Sequence, residues 1–266
     1  MSFTRGNDLA LAMRLADAAD SITLARYQSI DLVVSTKPDN TPVTDADKAA
    51  EEAIRALLKN HRPDDGIVGE EFGSDAGGAQ RYWVIDPIDG TKNFLRGVPT
   101  WATLIGLIEK QGDGREVVVV GVVSAPALFR RWHASEGNGA FVSVNKGTPE
   151  RLKVSQVSEV KDASISYSDF IGWGERLAPF QELMAAAWRT RGIGDFWSHM
   201  LVAEGAVDVA AEPSLAVWDM AALDIIVREA GGRFTNVAGV DGSLGGSGLS
   251  TNSAIHQKIV DALNGR

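Results

Sequence analysis

The chain has 266 residues, 44% of them hydrophobic and 23% charged, with a formal net charge of −9 and no cysteine. This is the composition of an ordinary soluble globular protein, long enough for a sizeable core in one large unit or two small ones. The acidic balance argues against a nucleic-acid partner, which demands clustered Lys and Arg, and the lack of cysteine removes disulfides, thiolate nucleophiles and cysteine-type zinc sites together. No apolar run approaches the roughly 18 to 20 residues of a bilayer span, so no membrane partner is expected. The longest run, VVVVGVVSAPAL at 117–128, is broken by Gly121 and Pro126 and reads as a buried strand. Asp8, Asp17 and Asp20 interrupt the stretch where a signal peptide needs an apolar core, so a cytoplasmic protein is expected.

In chain order, residues 8–27 read as a helix with Leu9, Ala12, Met13, Ala16 and Ala19 on one face. An extended piece, IDLVVSTKPDNTPV, leads to a second helix that starts sharply. Thr44 and Asp47 have capping-box spacing, Ala50, Ala53, Ile54, Leu57 and Leu58 supply the apolar stripe, and Asn60 to Pro63 stop it. Strands are expected at 66–69, 82–86, 100–108 and 116–124, then a hairpin, RRWHASEGNGAFVSV, turning at Glu136 to Gly139. From about residue 151 the pattern alternates: strand RLKVS, strand ASISYS, a helix over about 176–187, strand WRTRG, a helix over about 196–204, strand VDVAA, a helix over about 219–230 and strand GRFTN. An α+β half over 1–150 followed by an α/β half with crossovers over 151–266 is the expected organisation, with a soft boundary at 146–152.

The chemistry concentrates where apolar runs stop on acids. WVIDPIDGTKNF, residues 83–94, ends a buried strand on Asp86 and Asp89 around Pro87-Ile88. Two carboxylates that close repel each other and lose hydration unless a cation compensates. GIVGEEFG, residues 66–73, is a second short strand ending on Glu70 and Glu71. AVWDMAALDIIVREAGG, residues 216–232, sets Asp219 in the first turn of an apolar helix, and Asp47 sits in the first turn of the second helix. Each has a bland alternative: an Asp-Pro turn, a solvated strand end, an N-cap, a capping-box acid. Together, these acids from four separated segments suit Mg²⁺, a hard cation that prefers carboxylates, carbonyls and waters. The four histidines stand away from these motifs and read as surface or core residues.

GEE at 69–71, WVIDPIDGTKNF at 83–94, and WD at 218–219 followed by EAGG at 229–232 resemble the inositol monophosphatase superfamily, in order and spacing across nearly the whole chain. The resemblance implies a layered αβαβα sandwich, usually a homodimer, that hydrolyses small phosphate monoesters with two or three Mg²⁺ per subunit, Mn²⁺ or Zn²⁺ being possible substitutes. Matched residue by residue, it implies one metal on Glu70, Asp86 and the Ile88 carbonyl, and a second on Asp86, Asp89 and Asp219. Asp47 and the Thr91 hydroxyl would orient and help deprotonate the attacking water, with Glu70 contributing. The backbone of Gly90 and Thr91 would receive the phosphate, Asp89 would also face the substrate, and Lys37 resembles the lysine of a loop that completes the site. Arg191, Gly194, Asp195 and Glu212 match the substrate pocket.

Other phosphatases that open on D-x-D-G-T fit poorly, because two residues separate Asp86 from Asp89 where those enzymes have one. A non-catalytic metal-binding partner protein would be expected to lose Asp47 and Thr91, and both are present. Within the superfamily, STKPDNTPVTDAD, GVVSAPALFRRWHASEGNGAF and GDFWSHMLVAEGAVDVAAEP followed by WDMAALDI resemble the histidinol-phosphate phosphatases of actinobacteria. His133 after Trp132, and Trp197-Ser198-His199, depart from the expected pattern. Histidinol phosphate is therefore the expected substrate, with inositol-1-phosphate or a broad range of sugar phosphates as the alternative. A substrate with an ammonium and an imidazole would reward the extra acid, Asp195, through charge-assisted hydrogen bonds, with Trp197 and His199 adding aromatic surface nearby.

Overall fold

The computed structural model describes residues 4–266. Five layers stack in the order helix, sheet, helix, sheet, helix. Helices Arg5–Arg26 and Asp45–His61 pack together on one face of an eight-stranded sheet. Their Leu11, Leu15, Ala19, Ile54 and Leu58 meet Trp83, Ile85, Ile105 and Leu107 from the strands. Alternate residues of the same strands, Tyr82, Val84, Leu104 and Ile108, point to the other face and meet helices Asp195–Ala203 and Val217–Glu229. Both faces are thus covered, which is why Arg81–Asp89 and Ala102–Lys110 read as continuous apolar runs. The middle helices also pack on a five-stranded sheet, whose far face carries Leu177–Ala186 and His256–Leu263.

Capping was correctly legible at the second helix. The Thr44 hydroxyl accepts from the amides of Ala46 and Asp47, and the Asp47 carboxylate accepts from the Thr44 amide. The larger sheet is antiparallel except where Gly66–Gly69 runs parallel to Arg81–Asp89. That parallel pair brings the ends bearing Glu70 and Asp86 to the same edge. The smaller sheet runs in the order Arg189–Gly192, Ser164–Tyr167, Val209–Glu212, Gly248–Asn252 and Gly232–Thr235.

Two expectations need correction. RLKVS is not a strand beyond Arg151: only Glu150–Arg151 pairs, and the chain then crosses between layers, the Leu152 amide bonding to Ala140 and the Val154 amide to Ala230. The second half is also not a simple run of parallel crossovers. Gly248–Asn252, followed by helix His256–Leu263, inserts antiparallel between Val209–Glu212 and Gly232–Thr235.

The helix Val217–Glu229 lies unusually close to the large sheet because Gly106 and Gly121 face each other across neighbouring strands. A Cβ at Gly121 would come within 2.5 Å of Ile225 Cγ2, and one at Gly106 within 2.8 Å of the Ala221 Cβ. This contact sets the height at which Asp219 arrives over the strand ends.

Candidate active site

Asp86 lies three residues before the end of strand Arg81–Asp89, where the pairing with Ala102–Lys110 slips between Asp86 and Asp89. The irregularity follows from Pro87, which has no amide to give the ladder. Its carbonyl is taken instead by the Thr103 hydroxyl at 2.8 Å. Asp86 Oδ1 accepts from the Ile88 amide at 3.0 Å, and the Ile88 carbonyl accepts from the Thr91 hydroxyl at 3.0 Å. The chain then turns through Gly90, at φ 82°, into the short helix Thr91–Arg96. A Cβ at Gly90 would sit 2.9 Å from the Thr100 carbonyl and 3.3 Å from Asp195 Oδ2, so only glycine fits this turn. Beneath it, Ala46, Ile88, Phe94 and Trp101 form a small core. It locks the first turn of helix Asp45–His61, and with it Asp47, against the Asp86–Thr91 segment.

Asp219 joins from the first turn of helix Val217–Glu229. One oxygen from each of Asp86, Asp89 and Asp219 lies within 4.8 Å of the other two. Glu70 lies against Asp86, its own amide bonded to the Ile85 carbonyl, and its Oε1 is 2.6 Å from Lys37 Nζ. Lys37 is also 2.7 Å from Glu71, so burial, which would lower its pKa, is outweighed by the two carboxylates. Asp47 is fully buried. Its Oδ2 takes the Thr44 amide and hydroxyl, while Oδ1 has no partner among the described residues.

The electrostatics are those of like charges held together. Burial, then Glu70, Asp89 and Asp219, raise Asp86 well above the usual carboxylate range. Burial, then Asp195 and Asp219, do the same to Asp89. Burial pushes Asp219 and Asp47 each up to about 6. The neutral donors reaching the trio are backbone amides: Ile88 to Asp86, Phe196 to Asp89 at 2.7 Å, and Ala216 to Asp219 at 2.7 Å. Three amides are weak compensation for three buried carboxylates. The set consists only of hard oxygen donors, and it leaves Asp47 Oδ1 orphaned beside it. Divalent Mg²⁺ or a similar hard cation fits that donor set.

The remaining sequence-derived residues fall in two groups. Gly194, Asp195 and Glu212 adjoin the acids. Burial, then the Asp195 charge, push Glu212 up to about 8, its Oε1 is unpartnered among the described residues, and burial pushes Asp195 up to about 6. Gly194, at φ 80°, passes so close to Ser168 that a Cβ would lie 3.1 Å from that residue. Arg191, by contrast, is exposed on the edge strand and donates to the carbonyl of its neighbour Thr190 at 2.7 Å. Thr91 spends its hydroxyl on Ile88. His199 does not add surface beside the acids: it is buried, bonded through Nδ1 to Ser250 and tilted against Phe234 in the smaller sheet. His133 stacks on Phe141.

Two residues escaped the sequence reading. Glu51, fully buried one turn after Asp47, accepts from the amides of Glu71 at 2.8 Å and Phe72 at 3.3 Å and from Arg55 Nε at 2.7 Å. Its Oε1 occupies the space a Cβ on Gly69 would take, so the Gly69–Phe72 turn wraps its carboxylate and fixes Glu70. The i, i+4 repeat of Asp47 and Glu51 on one helix face was the available signal. Asn93 donates to the Thr100 carbonyl and to Asp195 Oδ2, both at 3.0 Å.

The sequence is 54% identical over 263 residues to a protein of Mycobacterium tuberculosis named histidinol-phosphatase, covering 97% of this chain and 98% of that one. A Streptomyces coelicolor protein of the same name is 55% identical over 262 residues, covering 98% of each. Among solved structures, the extragenic suppressor protein suhB of Bartonella henselae superposes with a TM-score of 0.84 at 31% identity, covering 96% of this chain and 97% of that one. The inositol monophosphatase family model matches residues 7–265, and the chain belongs to that family.

Proposed function

We propose that this protein is a metal-dependent phosphate monoesterase whose substrate is histidinol phosphate, releasing histidinol and phosphate. The observation that carries the reaction class is the convergence of Asp86 and Asp89 from one strand end with Asp219 from a distant helix, each accepting from a backbone amide. In this reading Glu70, Asp86 and the Ile88 carbonyl hold one Mg²⁺, and Asp86, Asp89 and Asp219 hold another. Such ions, when bound, supply Lewis-acid charge to a phosphoryl group and make a water more acidic.

The rest is done by the chain. Asp47 Oδ1, free and held by the Thr44 cap, takes a proton from the attacking water, and its pKa of about 6 suits a base that works near neutrality. Thr91, whose hydroxyl proton goes to the Ile88 carbonyl, shares in orienting that water by accepting from it. The Gly90–Thr91 turn presents amides left free at a helix start, where a phosphate is favoured. Lys37, bridging Glu70 and Glu71, covers the acids from the hairpin formed by Val34–Thr36 and Pro42–Thr44.

Two acids beyond the metal set, Asp195 and Glu212, support the substrate. Histidinol phosphate carries an ammonium and an imidazole, whereas inositol phosphate carries neither. A cationic end there would give the unpartnered Glu212 Oε1 its donor and hold both carboxylates ionised. The name shared by the two relatives above points the same way. The test is phosphate release from histidinol phosphate, inositol-1-phosphate and fructose-1,6-bisphosphate. The highest kcat/KM is expected for histidinol phosphate, and a preference for inositol-1-phosphate would overturn the assignment.

A further inference from the structure

Asp195 is one of the few non-glycine residues of the described chain with a left-handed backbone, at φ 51°, directly after Gly194 at φ 80°. A strained conformation at a helix start persists only if its surroundings over-determine it. Three contacts do so. The residue-195 amide faces the Glu212 carboxylate, the next amide, of Phe196, donates to Asp89 Oδ2 at 2.7 Å, and the Asp195 side chain accepts from Asn93 Nδ2 at 3.0 Å. The left-handed turn therefore aims consecutive amides at two different acids, one in the metal set and one beside it. Asn93 lies in the Thr91–Arg96 helix, immediately after the turn assigned to the phosphate. Its amide is itself anchored to the Thr100 carbonyl, so it is a fixed donor.

From this geometry we infer that Asn93 is a specificity-positioning residue: it clamps the Asp195 carboxylate at a set distance from the phosphate turn and so gauges the span between the phosphate and the cationic end of the substrate. The inference rests on the reading of Asp195 as a contact for that cationic end. Asparagine suits the task because its amide donates directly to the carboxylate without neutralising it, while the charge of the neighbouring Lys92 favours the ionised form of Asp195. Freed from Asn93, Asp195 would relax its side chain and the distance between the two ends would no longer be fixed.

The experiment measures kcat and KM for histidinol phosphate and for para-nitrophenyl phosphate, which has no cationic end, in wild type, Asp195→Ala, Asn93→Ala and the exchanged pair Asn93→Asp with Asp195→Asn. Thermal unfolding is followed in parallel. Asn93→Ala is expected to lower the ratio of kcat/KM for the two substrates roughly tenfold, the lower end of what a charge-assisted hydrogen bond contributes, mainly through KM for histidinol phosphate. The exchanged pair restores a hydrogen bond between the two positions but moves the carboxylate, so it should recover melting temperature without recovering the ratio. Equal losses on both substrates in Asn93→Ala, with the ratio moved by Asp195→Ala, would overturn the inference alone. A ratio unmoved by Asp195→Ala would overturn the reading of Asp195 and the inference with it.

Discussion

Replacing Asp219 by asparagine should abolish activity and, in protein stripped of metal, raise stability. In the folded chain burial, together with the neighbouring acids, holds the Asp219 carboxyl at about 6, against an ordinary value of 3.8. A difference of about two units corresponds to roughly 3 kcal/mol of destabilisation when the group is ionised, at about 1.4 kcal/mol per unit. Asparagine keeps an oxygen for the Ala216 amide, which holds the helix start. It loses the favourable interaction of a negative charge with the helix N-terminus, about 0.3–1 kcal/mol. The net gain in chelator is then about 2–2.7 kcal/mol, or roughly 4–11 °C in melting temperature for a chain of this size.

The assay is thermal unfolding of wild type and variant near neutral pH, with chelator and then with saturating Mg²⁺. In chelator the variant should melt higher. With Mg²⁺ the order should reverse, because only the wild type keeps the full donor set and gains stability by binding. A variant that melts lower than wild type in chelator would refute the reasoning, since the carboxylate would then be stabilising without any cation.

The same charges predict a pH dependence. Asp47 and Asp219, at about 6, and Glu212, at about 8, hold protons in the folded chain that the unfolded chain has already released. Stability of the metal-free protein should therefore rise as pH falls from about 8 to about 6.5, below which His199 and His256, lowered to about 4 in the folded chain, act the other way; a melting temperature that drops between about pH 8 and about 6.5 would contradict it. Glu51→Gln should lower stability by about 2–3 kcal/mol, because an amide group then faces donors, and should cut kcat at least tenfold by releasing the turn that fixes Glu70. An unfolding shift with unchanged kcat would confine Glu51 to the scaffold.

Features coded locally were legible in the sequence. The Thr44–Asp47 cap and the first turn carrying Asp219 each depend on neighbours within a few residues and stand where the spacing placed them, while the strand expected to stop on Asp86 runs on to Asp89 through an irregularity in its pairing. What was missed acts across elements: Glu51 bonds to a turn twenty residues on, and Asn93 to an acid 102 residues on. The strand Gly248–Asn252 escaped for another reason. It is fully buried yet polar, so it shows no apolar period. Its side chains are satisfied inside the core, Ser250 by His199, Thr251 by His256, and Asn252 by Ser155 and the Val157 carbonyl. Those partners also account for two of the four histidines, whose pKa values burial lowers to about 4, as for neutral core groups.

A cluster of like charges tends to spread unless rigid elements hold it, and here each acid is held by packing. Asp86 lies in a strand buried on both faces, and Asp219 rides a helix seated on the Gly106–Gly121 pair between the two sheets. Asp47 is locked by the core of Ala46, Ile88, Phe94 and Trp101, and Glu70 by the turn around Glu51. Asp89 takes its amide from helix Asp195–Ala203, which packs on both sheets. The site thus lies where the central helix layer meets the end of the large sheet, and the acids cannot separate without moving a core. That rigidity holds repelling carboxylates close together, so that a cation bound there would need little reorganisation of the chain.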